Sequence, residues 1–485
     1  MKVGRTLGAL VARVRVAASR VPAEPRAVPR PTPSPVGHRA PPPAPRPEVA
    51  AAASRFLQIE RTVLARFRPQ IQHAVEEALG AAATEVEATP PPCCGRPMRR
   101  HDRRRVGWLT WVGRVRVPVQ RYRCAVCRAE RRPLLEHLEI EPGHASGLLA
   151  RMLALLGCVA SYALAAEVAG ALLGIEVNAM TVWRAVQRLG EAAARDTEAL
   201  STYHADSRSE APVPVDPPAV VVVAVDGCVL GMQVRATRRR RPTADARFPP
   251  LAPVEDGHFR EVKTGVVLLP TDRVPAPDRQ RLVRRLVVTC LGDADALFSR
   301  LWAQLRERGW IGADTVVVVV GDGSEWIWKR ASLFVHRCEI LDFWHAMGYA
   351  WASARLQFGE GSRRAEPWTR RIAHDLKAGH VQAVIARLQR LRPTSPESRE
   401  ALDAVVKYYT DHAARMQYDE YLRLGYGIGS GAVESAHKQV VHARLRQAGM
   451  RWSAIGARRL LALRLLLLNG EWGRADQLRL VRVAA

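Results

Sequence analysis

Six lysines serve the whole of this 485-residue chain, and acids are short as well: 47 Asp and Glu stand against 73 Lys and Arg, a formal net charge of +26 with pI near 10.8. The preference for arginine says little, since an Arg- and Ala-heavy chain also follows from GC-rich coding. The shortage of acids says more, because a chain this cationic meets polyanions; nucleic acid is the expected partner, bound with a steep salt dependence through counterion release. A membrane surface is disfavoured, since the basic residues are spread along the chain and not set beside a hydrophobic anchor. No apolar run is long enough to span a bilayer: LLALRLLLLN is broken by Arg464 and reads as a buried terminal helix. The Gly-x-x-x-x-Gly-Lys-Ser/Thr phosphate loop is absent, so no nucleotide cofactor is expected. Arg13 and Arg15 interrupt the apolar run that a signal peptide needs. Cys158, Cys228, Cys290 and Cys338 are scattered in apolar contexts and read as buried free thiols, which suits a reducing, cytoplasmic and nucleoid-associated setting.

Apolar residues make up 48% of the chain, enough for two to four cored domains. Residues 1–50, with prolines dense from Pro22 to Pro47, read as a disordered Pro/Arg-rich tail, and residues 51–90 as a helical segment. Next come Cys93 and Cys94, then Cys124-x-x-Cys127, enclosing HDRRRVGWLTWVGRVRVPVQRYR, which alternates like two strands turning at Gly113. A hairpin with a cysteine pair near each end is how a zinc ribbon is built, and residues 91–135 are assigned to one. The second pair is a regular knuckle. The first is not: adjacent side chains point apart, which leaves His101 as an alternative fourth ligand and a metal-free hairpin as the competing reading. Residues 140–205 give a helix, a turn at Gly174 and a second helix capped near Asn178, resembling a helix-turn-helix that offers Arg184, Gln187 and Arg188 to a groove. Two-helix pairs are also common in purely structural roles. The proline-rich stretch 206–218 then reads as a stiff linker.

Beyond the linker, AVVVVAVDG stops at Asp226 and DTVVVVVGDG stops at Asp322. Such valine runs read as strands buried on both faces, and a carboxylate closing each would emerge at a sheet edge. A third acid, Glu434, lies in GIGSGAVESAHKQVVHARLRQAGMRW, at the start of a helix with Ser430 as N-cap and Lys438 one turn on. Taken alone, that is a capped, salt-bridged surface helix. Between the first two acids, CVLGMQVR and FREVKTGVVLL read as strands around a loop carrying Arg238 to Arg241, and the segment from about Arg279 to Arg308 reads as helix. RCEILDF gives a further strand after Asp322. Three strands, helix, strand, strand, with acids on the first strand, after the fourth and on a late helix, is the order of a ribonuclease-H-like domain. Three clustered carboxylates repel unless divalent cations offset them, and oxygen-only ligands suit Mg²⁺ or Mn²⁺ rather than zinc. Two such ions serve in-line displacement at phosphorus.

The blocks CCGRPM, RYRCAVC, VDG, GDGSEWIW, LDFWHA and GSGAVESAHKQVVHARLRQAGMRWS, between about Pro92 and Trp472, resemble the DDE transposases of bacterial insertion sequences, most closely the ISKra-type family related to Mutator-like transposases. The resemblance implies that Asp226, Asp322 and Glu434 are the catalytic triad holding two Mg²⁺ or Mn²⁺ ions. It also implies a mainly helical insertion between the second acid and the third. In LDFWHA it implies an Asp/Cys-x-x-His element, which adds His345 to the catalytic candidates. The alternative for Asp342 and His345 is a structural pair at a strand-to-helix turn. Trp326, Trp328, Trp344 and Trp351 flank these positions and are either core or stacking surfaces for an unpaired base.

The architecture so expected is α/β: a ribonuclease-H-like core at 219–360 and 426–485, split by an all-α insertion at 361–425 and preceded by the ribbon and the helix-turn-helix-like region. The expected function is a transposase that binds terminal inverted repeats and catalyses phosphodiester hydrolysis and strand transfer, as a homo-oligomer on double-stranded DNA. Arg238, Arg239, Arg240, Lys438, Arg444 and Arg446 are the candidates for backbone contacts. The rivals are a catalytically silent, transposase-derived regulator and a ribonuclease-H-like nuclease without strand transfer. Glu325, Asp342 and Glu420 compete with Glu434 as third acid.

Overall fold

The structure, a computed structural model, describes residues 55–140, 144–205, 216–233, 258–275 and 280–480; the proline-rich tail, Arg238 to Arg241 and most of the linker lie outside them. The chain divides into two compact units at Pro69. Of the first, only the opening half of helix α1 (Arg55–Val86) is described.

The second unit begins, after the rest of α1, with a small β-module: β1 (Pro92–Cys93) pairs with β2 (Arg96–Pro97), and the long hairpin β3 (Arg99–Thr110) and β4 (Gly113–Arg123) is extended by β5 (Glu130–Arg131). Alternation decides its faces: Val115, Val117 and Val119 are buried, with Trp108 opposite. Short α2 (Pro133–Leu138) leads to α3 (Gly147–Val159), α4 (Tyr162–Leu173) and α5 (Ala179–Ala205). Gly174 takes φ +60 at the α4 C-terminus and Asn178 caps α5, accepting from Thr181 N–H at 2.9 Å. The second helix of this pair is 27 residues long and packs lengthwise into the core, which is why Gln187 and Arg188 are buried. Neither residue is positioned to read a groove; of the three candidates only Arg184 is exposed.

The central sheet contains β6 (Val220–Gly231), β7 (Phe259–Leu268), β10 (Leu286–Leu291), β11 (Val316–Gly321) and β12 (Arg337–Leu341), in the order β10-β7-β6-β11-β12. The first three are antiparallel neighbours; β6, β11 and β12 run parallel. A separate pair, β8 (Arg273–Pro275) and β9 (Gln280–Leu282), interrupts the β7–β10 connection. Two details differ from the sequence reading. CVLG continues β6 and is no separate strand, because the pairing with β7 runs on from Asp226 to Gly231. The third strand is LVVTCL, inside the segment read as helix: all six residues are buried, and the helical period belongs only to α6 (Ala294–Glu307), capped by Asp293.

Helices then continue as α7 (Glu325–Ala331), α8 (Phe343–Phe358), α9 (Ala365–Lys377), α10 (Val381–Gln389), α11 (Pro396–His412) and α12 (Tyr418–Arg423). The chain returns to the sheet with α13 (Gly431–His437), which packs on β6 and β7 and runs into a π-helical turn, Lys438–His442. A short turn, α14 (Ala443–Leu445), precedes α15 (Ala454–Leu468), which lies along α5. LLALRLLLL is thus a core helix, and its Arg464 is buried, donating to the carbonyls of Cys158, Gln439 and Val440. No helix among the described residues is long and apolar enough to cross a membrane.

Candidate active site and zinc centre

The parallel register of β6 and β11 ends at Val225 opposite Gly321, so Asp226 and Asp322 are the next residues on neighbouring strands and stand side by side. There β11 stops while β6 goes on, which leaves Asp226 at a notch in the sheet, partly open to solvent. Its Oδ1 accepts the N–H of Gly227 at 2.7 Å. Asp322 Oδ1 accepts from Ser324 N–H at 3.0 Å, and its backbone carbonyl accepts a 2.6 Å hydrogen bond from Tyr408 Oη on α11. Gly323 comes next at φ +92, and a β-carbon there would stand 2.7 Å from Tyr408 Oη and 3.0 Å from His412 Nε2.

Helix α13, packed on β6 and β7, carries the third acid. The Glu434 carboxylate is 69% exposed, and Lys438 Nζ stands 3.9 Å away. One turn on, His437 is buried with Nδ1 3.6 Å from Asp226 Oδ2, and burial pushes its pKa down to about 4. Ser430 does not cap α13 as its position suggested; its hydroxyl donates to Asp342 Oδ2 instead. Asp342 is a buried N-cap of α8, accepting from Trp344 N–H at 2.9 Å, while its own N–H donates to Gly321 O at 2.7 Å. It ties LDFWHA to GIGSG. His345 is half-buried on α8, with its ring centroid 6.1 Å from that of Tyr408, on the Asp322 side of the notch. Of the four tryptophans, Trp328 is core, Trp326 and Trp351 are half-buried, and Trp344 is 68% exposed above the Gly429 backbone.

Several residues here carry no sequence signal that marks them. Glu261 and Lys263, alternate residues of β7, form an ion pair beside Gly227, and Lys263 Nζ lies 4.7 Å from the Trp326 ring centroid. Tyr408 stacks on Tyr349 at 4.1 Å, and burial raises its pKa. The alternation in FREVKTG puts two charges on one face of a buried strand, the one cue available.

The cationic candidates separate. Lys438 and Arg446 are exposed, and Arg446 Nη1 lies 2.9 Å from His442 Nε2. Arg444 is 1% exposed: its Nε donates to Gly157 O at 2.8 Å and its guanidinium covers Tyr162 and Trp452 at 4.8 and 5.3 Å. It is a core residue, not the exposed cation that the sequence reading took it for. Arg238, Arg239 and Arg240 lie outside the described residues.

The four sulfurs of Cys93, Cys94, Cys124 and Cys127 lie within 4.8 Å of one another, close enough to hold a metal such as zinc. Tetrahedral Zn–S bonds of about 2.3 Å put sulfurs roughly 3.8 Å apart, and the Cys93–Cys127 and Cys93–Cys94 separations are 3.5 and 3.9 Å. The adjacent pair converges because Cys94 takes φ +47 and Gly95 φ +74, which turns both side chains inward, so His101 is not needed. Backbone N–H groups of Cys127 and Val126 pull the Cys124 thiol down to about 6, favouring the thiolate a metal requires. This is the one group of three or more His, Cys, Asp or Glu so closely gathered among the described residues; Asp226, Asp322 and Glu434 stand further apart. No protein-family model and no curated protein matches the chain.

Proposed function

We propose that this chain is a DDE-type DNA transposase of an insertion sequence, binding terminal inverted repeats and catalysing phosphodiester hydrolysis and strand transfer on a ribonuclease-H-like core. The observation that carries the reading is the register: Asp226 and Asp322 are adjacent on parallel strands, and the helix of Glu434 packs on the same sheet. The element order, three strands, helix, strand, strand and a late helix, agrees with that core, and α9 to α12 occupy the position of its helical insertion.

The donor set fits divalent cations. Asp226 and Asp322 offer hard oxygens side by side, and two ions about 3.5–4 Å apart with bonds near 2.1 Å span up to about 8 Å between outermost ligands, so the three acids need not meet at one point. When bound, Mg²⁺ or Mn²⁺ would supply the activated oxygen and the charge compensation at phosphorus. The chain's own residues do the rest. Lys438 and Arg446, exposed just beyond Glu434, attract the backbone, while Trp344 offers a stacking face. The open edge strand β3 presents Arg99, Arg100, Arg103, Arg104 and Arg105 to a second stretch of duplex. Holding two ends at once calls for two copies of the chain.

The test is cleavage and joining of DNA carrying the repeats that flank the gene, with Mn²⁺. Joined products from wild type, and none from Asp226→Asn or Glu434→Gln at near-equal DNA affinity, support the reading. Tight binding without a cut in all three proteins points to a silent regulator, and cutting without joining to a nuclease.

A further inference from the structure

His437 is 4% exposed, and its imidazole Nδ1 lies 3.6 Å from Asp226 Oδ2. The other carboxylate oxygen is already held by the N–H of Gly227. On the far side of the ring, Nε2 is buried without a hydrogen-bond partner. A buried imidazole remote from water is neutral and carries one proton. With that proton on Nε2, an N–H would be orphaned in the interior and the bare Nδ1 lone pair would face a carboxylate lone pair. With the proton on Nδ1, the only orphan is an acceptor, the milder of the two defects.

We infer that His437 carries its proton on Nδ1, directs it at Asp226 Oδ2, and acts as a positioning residue that fixes the carboxylate on which the proposed metal site depends. A closing of about 0.5 Å brings the contact into hydrogen-bond range. Asp226 is then held at both oxygens, by Gly227 N–H and by His437. The spacing Glu434-Ser-Ala-His437 sets one acid and its neighbour's orienting group a single turn apart on one helix. The inference rests on the reading of Asp226 as a metal ligand.

Asparagine and glutamine separate the two nitrogens, since an Asn amide overlays Nδ1 and a Gln amide overlays Nε2. In the full chain, Mn²⁺ titration followed by electron paramagnetic resonance should give His437→Asn within about threefold of wild type. His437→Gln and His437→Phe should bind about 10–100-fold more weakly, the usual loss on removing a group that orients a ligand. Equal losses for Asn and Gln, or a directly bonded ¹⁴N coupling to Mn²⁺ in wild type that His437→Phe abolishes, overturn the inference. The metal-free protein supplies a second readout: the ¹⁵N shifts of the resonance lost in His437→Asn should be those of the Nδ1–H tautomer, and an Nε2–H tautomer refutes it. If wild type binds no Mn²⁺ that Asp226→Asn removes, the metal reading fails, and the tautomer still decides the contact. Thermal melts of each variant identify any that does not fold.

Discussion

Gly323→Ala probes the join between the helical insertion and the acid-bearing strands. The backbone there sits at φ +92, which an alanine adopts at a cost of about 1–3 kcal/mol. Its β-carbon would stand 2.7 Å from Tyr408 Oη, 2.9 Å from Tyr408 Cε2 and 3.0 Å from His412 Nε2. Neither ring yields easily: Tyr408 is stacked on Tyr349 at 4.1 Å and meets His412 edge-on at 4.8 Å. Overpacking of this kind adds about 1–3 kcal/mol, so the total loss is about 2–6 kcal/mol. Tyr408→Phe alone removes the hydrogen bond to the Asp322 carbonyl and costs about 1 kcal/mol. Combined with Gly323→Ala it relieves the oxygen clash but leaves the ring carbon and His412 in place, so the pair should be non-additive by about 0.5–2 kcal/mol. Urea unfolding followed by the fluorescence of nearby Trp326 and Trp328 reads all four proteins. A loss below about 1 kcal/mol for Gly323→Ala, or strict additivity, would refute the packing described around Asp322.

The purified chain should carry one zinc, with Cys94→Ser losing it and His101→Ala keeping it, as measured by metal analysis; the reverse pattern sinks the four-sulfur centre. Arg444→Ala should destabilise the protein by more than about 2 kcal/mol and leave the slope of DNA affinity against log salt unchanged, whereas Lys438→Ala should flatten that slope by about 1. Salt titrations that moved with Arg444 and not with Lys438 would contradict both placements. Asp102 is held down to about 2 by Arg121 and Arg104, from an ordinary 3.8. A folded-state pKa below the unfolded value means that the pair's stabilisation is present above pH 3.8 and drains away as pH falls towards 2. A carboxyl NMR titration giving Asp102 a midpoint near 4 would remove this contribution.

The valine runs were legible because a strand buried on both faces admits little else, whereas Asp-Gly after such a run is also ordinary turn chemistry, and only the register shows Asp226 and Asp322 side by side. Leu286 to Leu291 were harder: six apolar residues flanked by arginines fit a helix end as well as a strand, and pairing with Val262 to Val267 decides for the strand. Gln187, Arg188 and Arg444 show that a polar side chain on a helix does not reveal its facing; all three are buried. Cys93 and Cys94 converge only through a positive φ, which neighbouring residue identities do not announce. His437 was hidden for the opposite reason: the contact that gives it meaning is with a residue more than two hundred positions earlier.

Two of the buried arginines, Arg444 and Arg464, reach back 287 and 306 residues to the last carbonyls of α3. During synthesis, at 5–20 residues per second, the amino-terminal helices therefore wait roughly 15–60 s before their partners leave the ribosome. Until then α3 ends in unanswered carbonyls and shows an apolar face that α5 and α15 later cover. The chain cannot mature from its beginning, and an interrupted product lacking α15 would meet chaperones and proteases as an open, sticky intermediate.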